Sequence, residues 1–153
     1  MTQGLGTQLR HLLDLLDGPV AQAYALQGLD WRPRYTPVMR ALIASEPRTV
    51  GQIAEAAGIT QPAATQTVNL MIRDGLVSST PSPTDARQRE IRLTPAARAL
   101  LPKLQACWAA TAQAAADLDA ELARPLSQTL ADAIAALERK PFGQRLADAR
   151  SDT

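Results

Sequence analysis

Gln61, Ala63, Thr65, Gln66 and Asn69 fall within nine positions, and all are small or amide-bearing. On a helix they lie on or beside one face. The chemistry open to them there is hydrogen bonding to base edges and phosphate oxygens, since an amide presents a donor beside an acceptor and a hydroxyl serves as either. Further along, Arg87 and Arg89 stand close to Asp85. That grouping lets the carboxylate brace one guanidinium while the guanidinium reaches a phosphate or a narrow minor groove. Both sets need rigid elements to hold them outward.

The residues around them supply such elements. Thr49 is an N-cap for a short helix, Val50–Ala57, in which Ile53, Ala54 and Ala57 recur at helical spacing and face a core. Gly58 ends it where a left-handed residue is needed, and Ile59 plugs the corner between two helices. Thr60 caps a second helix with Pro62 in its first turn, where a missing N–H costs nothing, and the helix runs to Asp74 with Gly75 as the stop. Val68, Met71 and Ile72 are its expected buried stripe. The pattern then changes to period 2, with a strand over 76–80, an irregular loop over 81–85 and a returning strand over 89–94. A helix-turn-helix leading directly into a basic hairpin reads as a DNA-binding unit with a wing. The candidate DNA contacts are Thr60, Gln61, Pro62, Ala63, Thr65, Gln66, Asn69, Arg73, Asp85, Arg87 and Arg89. The competing reading of the wing arginines is that they are merely solvated.

Charge distribution agrees with the first reading. The chain of 153 residues has a net charge of +1. Between Arg32 and Arg98, however, nine arginines face Glu46, Glu55, Asp74, Asp85 and Glu90, a local excess of four, while the rest of the chain is net negative by three. On both sides lie apolar helices. Leu9, Leu12, Leu13, Leu16, Val20 and Tyr24 keep helical spacing across Gly18 and Pro19, which predicts one long kinked helix, with a break at Asp17 as the alternative. Thr36 and Pro37 mark the start of a helix to about Ser45, with Val38, Ala41 and Leu42 inward. Thr94 and Pro95 repeat that signal ahead of a helix bearing Leu100, Leu101, Leu104, Trp108 and Leu118, bent at Pro102. A last strong helix covers 124–140, with Leu126, Leu130, Ile134 and Leu137 in a stripe and Pro141 as the stop. Such surplus apolar surface implies packing against a second copy of the chain.

Order and motifs together resemble the MarR family of bacterial winged-helix transcription regulators over almost the whole chain. The residues that carry the resemblance are the run from Gln52 to Ala63, then Asp74-Gly75-Leu76-Val77, Asp85-Ala86-Arg87 in the wing, and Ile91-Arg92-Leu93-Thr94-Pro95. The resemblance implies a mainly α fold with a small β-wing, in which a winged helix-turn-helix core is joined to terminal dimerisation helices. It places one MarR-type domain over 1–153, the winged core over 34–98, and dimerisation helices over 1–30 and 99–150. Each recognition helix would enter a major groove and each wing arginine the adjoining minor groove. The chain departs from the family at Gln66, where members often carry an arginine, so an amide contact is expected in its place.

Other chemistries find little support. His11 is the only histidine and Cys107 the only cysteine, too few for a cysteine-histidine metal site, and no glycine-rich phosphate loop is present, so neither an enzyme nor a cofactor is expected. His11 reads as a boundary residue on an amphipathic helix and Cys107 as a small buried hydrophobe. No apolar run is long enough to cross a membrane and no signal peptide follows Met1, so a cytoplasmic location is expected. Trp31, Arg34, Tyr35 and Trp108 are the candidates for an effector pocket that would take a small aromatic or anionic compound, by resemblance to the family's ligand crevice; a packed hinge is the competing reading. Function is expected to be operator binding by a homodimer on a pseudo-palindrome, as a repressor. The alternative is a winged-helix module whose arginines bind an acidic partner protein, without a specific operator.

Overall fold

Seven helices and one two-stranded antiparallel sheet make up the described residues, 3–151, of the computed structural model. They form two units that meet in sequence between Cys107 and Trp108, inside one long helix.

The first unit opens with α1 (Leu5–Leu26), which continues unbroken through Pro19, as the leucine spacing predicts. Its leucines are largely bare: Leu5, Leu9, Leu13, Leu15 and Leu16 are exposed, and only Tyr24 is buried. Helix α2 (Tyr35–Ala44) starts two residues earlier than expected, with Arg34 at its N-cap position. Thr36 is not its cap, because the Thr36 hydroxyl accepts a hydrogen bond from Trp31 Nε1 at 3.1 Å instead. Tyr35, Val38, Met39, Ala41 and Leu42 all turn inward.

Helix α3 (Val50–Ala57) has the predicted bounds and a full capping box, in which Thr49 accepts from Gln52 N and the Gln52 side chain accepts from Thr49 N. Gly58 closes it at φ 67°, a left-handed conformation that a side chain would strain. Helix α4 (Gln61–Arg73) comes next, with the Thr60 hydroxyl accepting from Ala63 N. Its buried stripe is Ala64, Thr67, Val68 and Met71. Ile72, expected inside, is 39% exposed, because a stripe that includes 64, 68 and 71 turns 72 toward the outer side of the helix. The wing pairs β1 (Val77–Pro81) with β2 (Arg89–Leu93), Val77 opposite Leu93 and Pro81 opposite Arg89. Pro81 therefore belongs to the strand rather than the loop; it takes the end position, where a proline is tolerated. Arg48 adds a one-residue bridge to Ile91, with backbone bonds of 2.8 and 3.2 Å. Leu76, Val77, Ile91 and Leu93 thereby close the core over α2, α3 and α4. Thr94 caps α5 (Pro95–Glu121) by accepting from Ala97 N, and Ala97 and Leu104 complete the core.

One buried polar contact joins the start of α2 to the end of α4. The fully buried Tyr35 hydroxyl donates to Asp74 Oδ2 at 2.7 Å. Burial first, then this bond and the charge of Asp74, hold the phenol above its ordinary pKa of 10.0. Tyr35→Phe is expected to lower stability by about 1.5–3 kcal/mol, the range for a hydrogen bond to a charged group. Because the folded pKa is raised, the contribution is complete below the ordinary phenol value of 10.0 and is lost as pH climbs through the folded value. Urea unfolding at neutral pH and on the alkaline side of that value checks both parts: the gap between wild type and variant should narrow in alkali.

The second unit contains the end of α5, then α6 (Leu126–Arg139) and α7 (Phe142–Ser151). Helix α6 lies within the predicted range, and Arg124 pairs with Asp132 across its first turns. Asp119 accepts from the hydroxyl and the backbone N–H of Ser127, and these bonds lower its pKa below the ordinary value. Pro141 ends α6 as expected. It also starts α7, a helix that the sequence patterns do not predict: Gln144 N and Arg145 N both bond to the Pro141 carbonyl, so the proline serves as a helix start. Neither α6 nor α7 buries any residue, and Leu130, Ile134, Leu137, Phe142 and Leu146 are exposed.

Candidate nucleic-acid interface

Helix α4 is fixed on its inner side by Ala64, Thr67, Val68 and Met71, so its outer side must present Gln61, Pro62, Thr65, Gln66, Asn69 and Arg73; all six are exposed. The antiparallel wing stands beside it. Gln61, Thr65 and Asn69 of α4 line one open groove together with Arg87, Gln88 and Arg89 of the wing and the start of α3 at Thr49, Val50 and Gly51. The volume of this groove is about 540 Å³. Amide and hydroxyl groups thus share one concave surface with two guanidinium groups, as a reader of polar edges flanked by phosphates requires.

Each candidate has a definite place. Thr60 is committed to capping and Ala63 is half-buried, so these two shape the helix start more than they present chemistry. Arg73 lies in the last turn, 3.8 Å from Asp74. Asp85 does not brace a guanidinium. Its Oδ1 accepts the backbone N–H of Arg87 at 3.0 Å, because a turn places that N–H two residues on, within reach of a short acidic side chain. Asp85 therefore shapes the wing tip, and the Arg87 side chain projects from it, exposed. Arg89 is held along the strand by bonds to Ser79 Oγ at 2.7 Å and the Ser79 carbonyl at 2.8 Å.

Of the four effector candidates, Trp31, Arg34 and Tyr35 lie in the first unit. Trp31 packs edge-on against Tyr35 with ring centroids 5.6 Å apart, and Tyr24 lies 6.5 Å from Trp31, so the aromatic group is a packed hinge. Arg34 turns away from it and donates to Gln66 and Thr67 on α4. Trp108 belongs to the second unit. Of the four, only Trp31 lines the cleft of about 350 Å³ beside the hinge, along with Gly28, Leu29, Asp30, Asp74, Leu76 and Leu100. That lining carries two carboxylates and no arginine, which disfavours an anion. Sequence reasoning missed Arg34 as a neighbour of α4, since its partners lie 32 and 33 positions away and no local pattern links them. It also missed Thr67, a hydroxyl on the buried side of α4 that periodicity alone assigns to an apolar residue.

A capped helix pair meeting at a left-handed glycine, with a two-stranded hairpin beside the second helix, defines a winged helix-turn-helix protein. The model of the MarR family matches residues 28–88. No curated protein sequence matches the chain. Among solved structures it is similar to the transcriptional regulator MosR of M. tuberculosis in complex with DNA, at 23% identity and a TM-score of 0.71, covering 91% of this chain and 99% of that one. It is similar to the transcriptional repressor CouR bound to a 23-mer DNA duplex, at 24% identity and TM-score 0.64, covering 88% and 92%. The PcaV regulator from Streptomyces coelicolor, in complex with its natural ligand, matches at 22% identity and TM-score 0.62, covering 92% and 98%. At these identities the likeness is one of fold.

Proposed function

We propose that the chain is a sequence-specific DNA-binding transcription regulator that acts as a homodimer on a pseudo-palindromic operator, as a repressor. The observation that carries this is the groove that places Gln61, Thr65 and Asn69 beside Arg87 and Arg89. The helix supplies groups that discriminate base edges, and the wing supplies cations for the backbone or the minor groove. The local charge excess of four is modest for one copy, and the exposed apolar faces of α1 and α6 favour pairing two copies so that two such surfaces act together. DNA-bound MosR and CouR support the same reading. Release by a small molecule is part of the proposal. The cleft beside Trp31, with Asp30 and Asp74 in its lining, suits a neutral or cationic aromatic compound better than an anion.

Selection of binding sites from randomised duplexes tests the function. The expected product is an inverted repeat with half-sites about one helical turn apart, each protected by one protomer. Recovery of unrelated sequences would favour the protein-interaction module instead. On the selected site, Arg87→Ala is expected to weaken binding to all sequences by a similar factor and to reduce the slope of affinity against salt by about one. A mobility-shift titration at several salt concentrations checks this, and unchanged operator binding would remove the wing from the interface.

A further inference from the structure

Gln66 is not a free amide. Arg34, at the N-cap position of α2, donates through Nη2 to Gln66 Oε1 at 3.1 Å, and the same nitrogen lies 3.4 Å from the hydroxyl of the buried Thr67. We propose that Arg34 and Gln66 form one reading unit that selects guanine over adenine at one position in each half-site; this rests on the DNA-reading function proposed above.

Donors and acceptors set the preference. A guanidinium has only donors, so the amide oxygen must face it and the amide NH₂ group is directed away. An unconstrained glutamine suits adenine, giving a proton to N7 and accepting one from the N6 amino group. Here the accepting atom is engaged by a cation. Its second lone pair remains, but an adenine amino group reaching it would bring its own N–H groups against the guanidinium. Guanine offers the opposite pattern, with O6 and N7 both acceptors. The Gln66 amide can donate to one, and the remaining N–H groups of Arg34, which uses only Nη2 in these two contacts, can donate to the other. Thr67 holds the guanidinium from the buried side of the helix, so the pair is positioned before DNA arrives.

Binding-site selection with the full chain and its Arg34→Ala, Arg34→Lys and Gln66→Ala variants tests the assignment. Wild type should enrich guanine over adenine about tenfold or more at one position per half-site. Gln66→Ala should lose discrimination there. Arg34→Ala should free the amide oxygen and move the preference to adenine, and Arg34→Lys, which keeps a donor, should retain guanine. An Arg34→Ala protein that still selects guanine, or that binds every sequence more weakly by one factor, would overturn the paired reading and leave a simple phosphate contact. A wild-type chain that enriches no sequence would overturn the DNA-reading function itself, so the two failures are distinct.

Discussion

With Leu130→Asp and Ile134→Asp combined, the chain is expected to sediment as a monomer and to bind its operator about 10³-fold or more weakly, the gap that separates specific from non-specific association. Both residues lie on α6, 38% and 58% exposed, on a helix that buries nothing within its own unit. In one copy of the chain the substitutions place carboxylates in water and cost little. In a dimer packed through α6 they strand charge in an apolar interface without partners, which is not tolerated. Because the winged core lies in the other unit, its thermal unfolding should persist in the variant. A soluble dimer with normal operator affinity would remove α6 from the subunit contact.

The second large effect concerns the recognition helix. Met71→Ala is expected to destabilise the winged core by about 2–5 kcal/mol, the range for truncating a fully buried long side chain, while Ile72→Ala should cost much less. Met71 is 0% exposed and Ile72 39%, although the two are neighbours and both are large apolar residues. Chemical unfolding of the two variants measures the difference. Equal losses would mean that α4 is rotated about its axis relative to the arrangement described, and the set Gln61, Thr65 and Asn69 would then not face the wing.

That contrast marks how far the sequence could be read. Local signals suffice where a cap or a stop acts within a few residues: Thr49 with Gln52, Gly58, Thr60 and Gly75 give the bounds of α3 and α4 almost to the residue. The wing is legible for the same reason, as alternation over five residues needs no distant partner. Local patterns fail where a side chain chooses between a nearby and a remote partner. Thr36 looks like a cap but accepts from Trp31, Asp85 looks like a brace but holds a backbone N–H, and Arg34 sits among aromatics in sequence while reaching α4 in space. Helix α7 is hidden because Pro141 reads equally as a stop for α6 and as a start for the next helix. The candidate site is thus visible as a set of residue types on α4 and the wing, and the bonds that orient Gln66 and the wing tip are not.

The most direct test of sequence-specific operator binding is the affinity of wild-type protein for its selected inverted repeat and for a scrambled duplex, measured by competition over a range of salt concentrations. Both affinities should fall steeply with salt, two chains should occupy the repeat, and the preference for the repeat should persist at about 10³-fold or more at physiological ionic strength. Equal affinity for the two duplexes across that range would contradict sequence-specific reading by this chain.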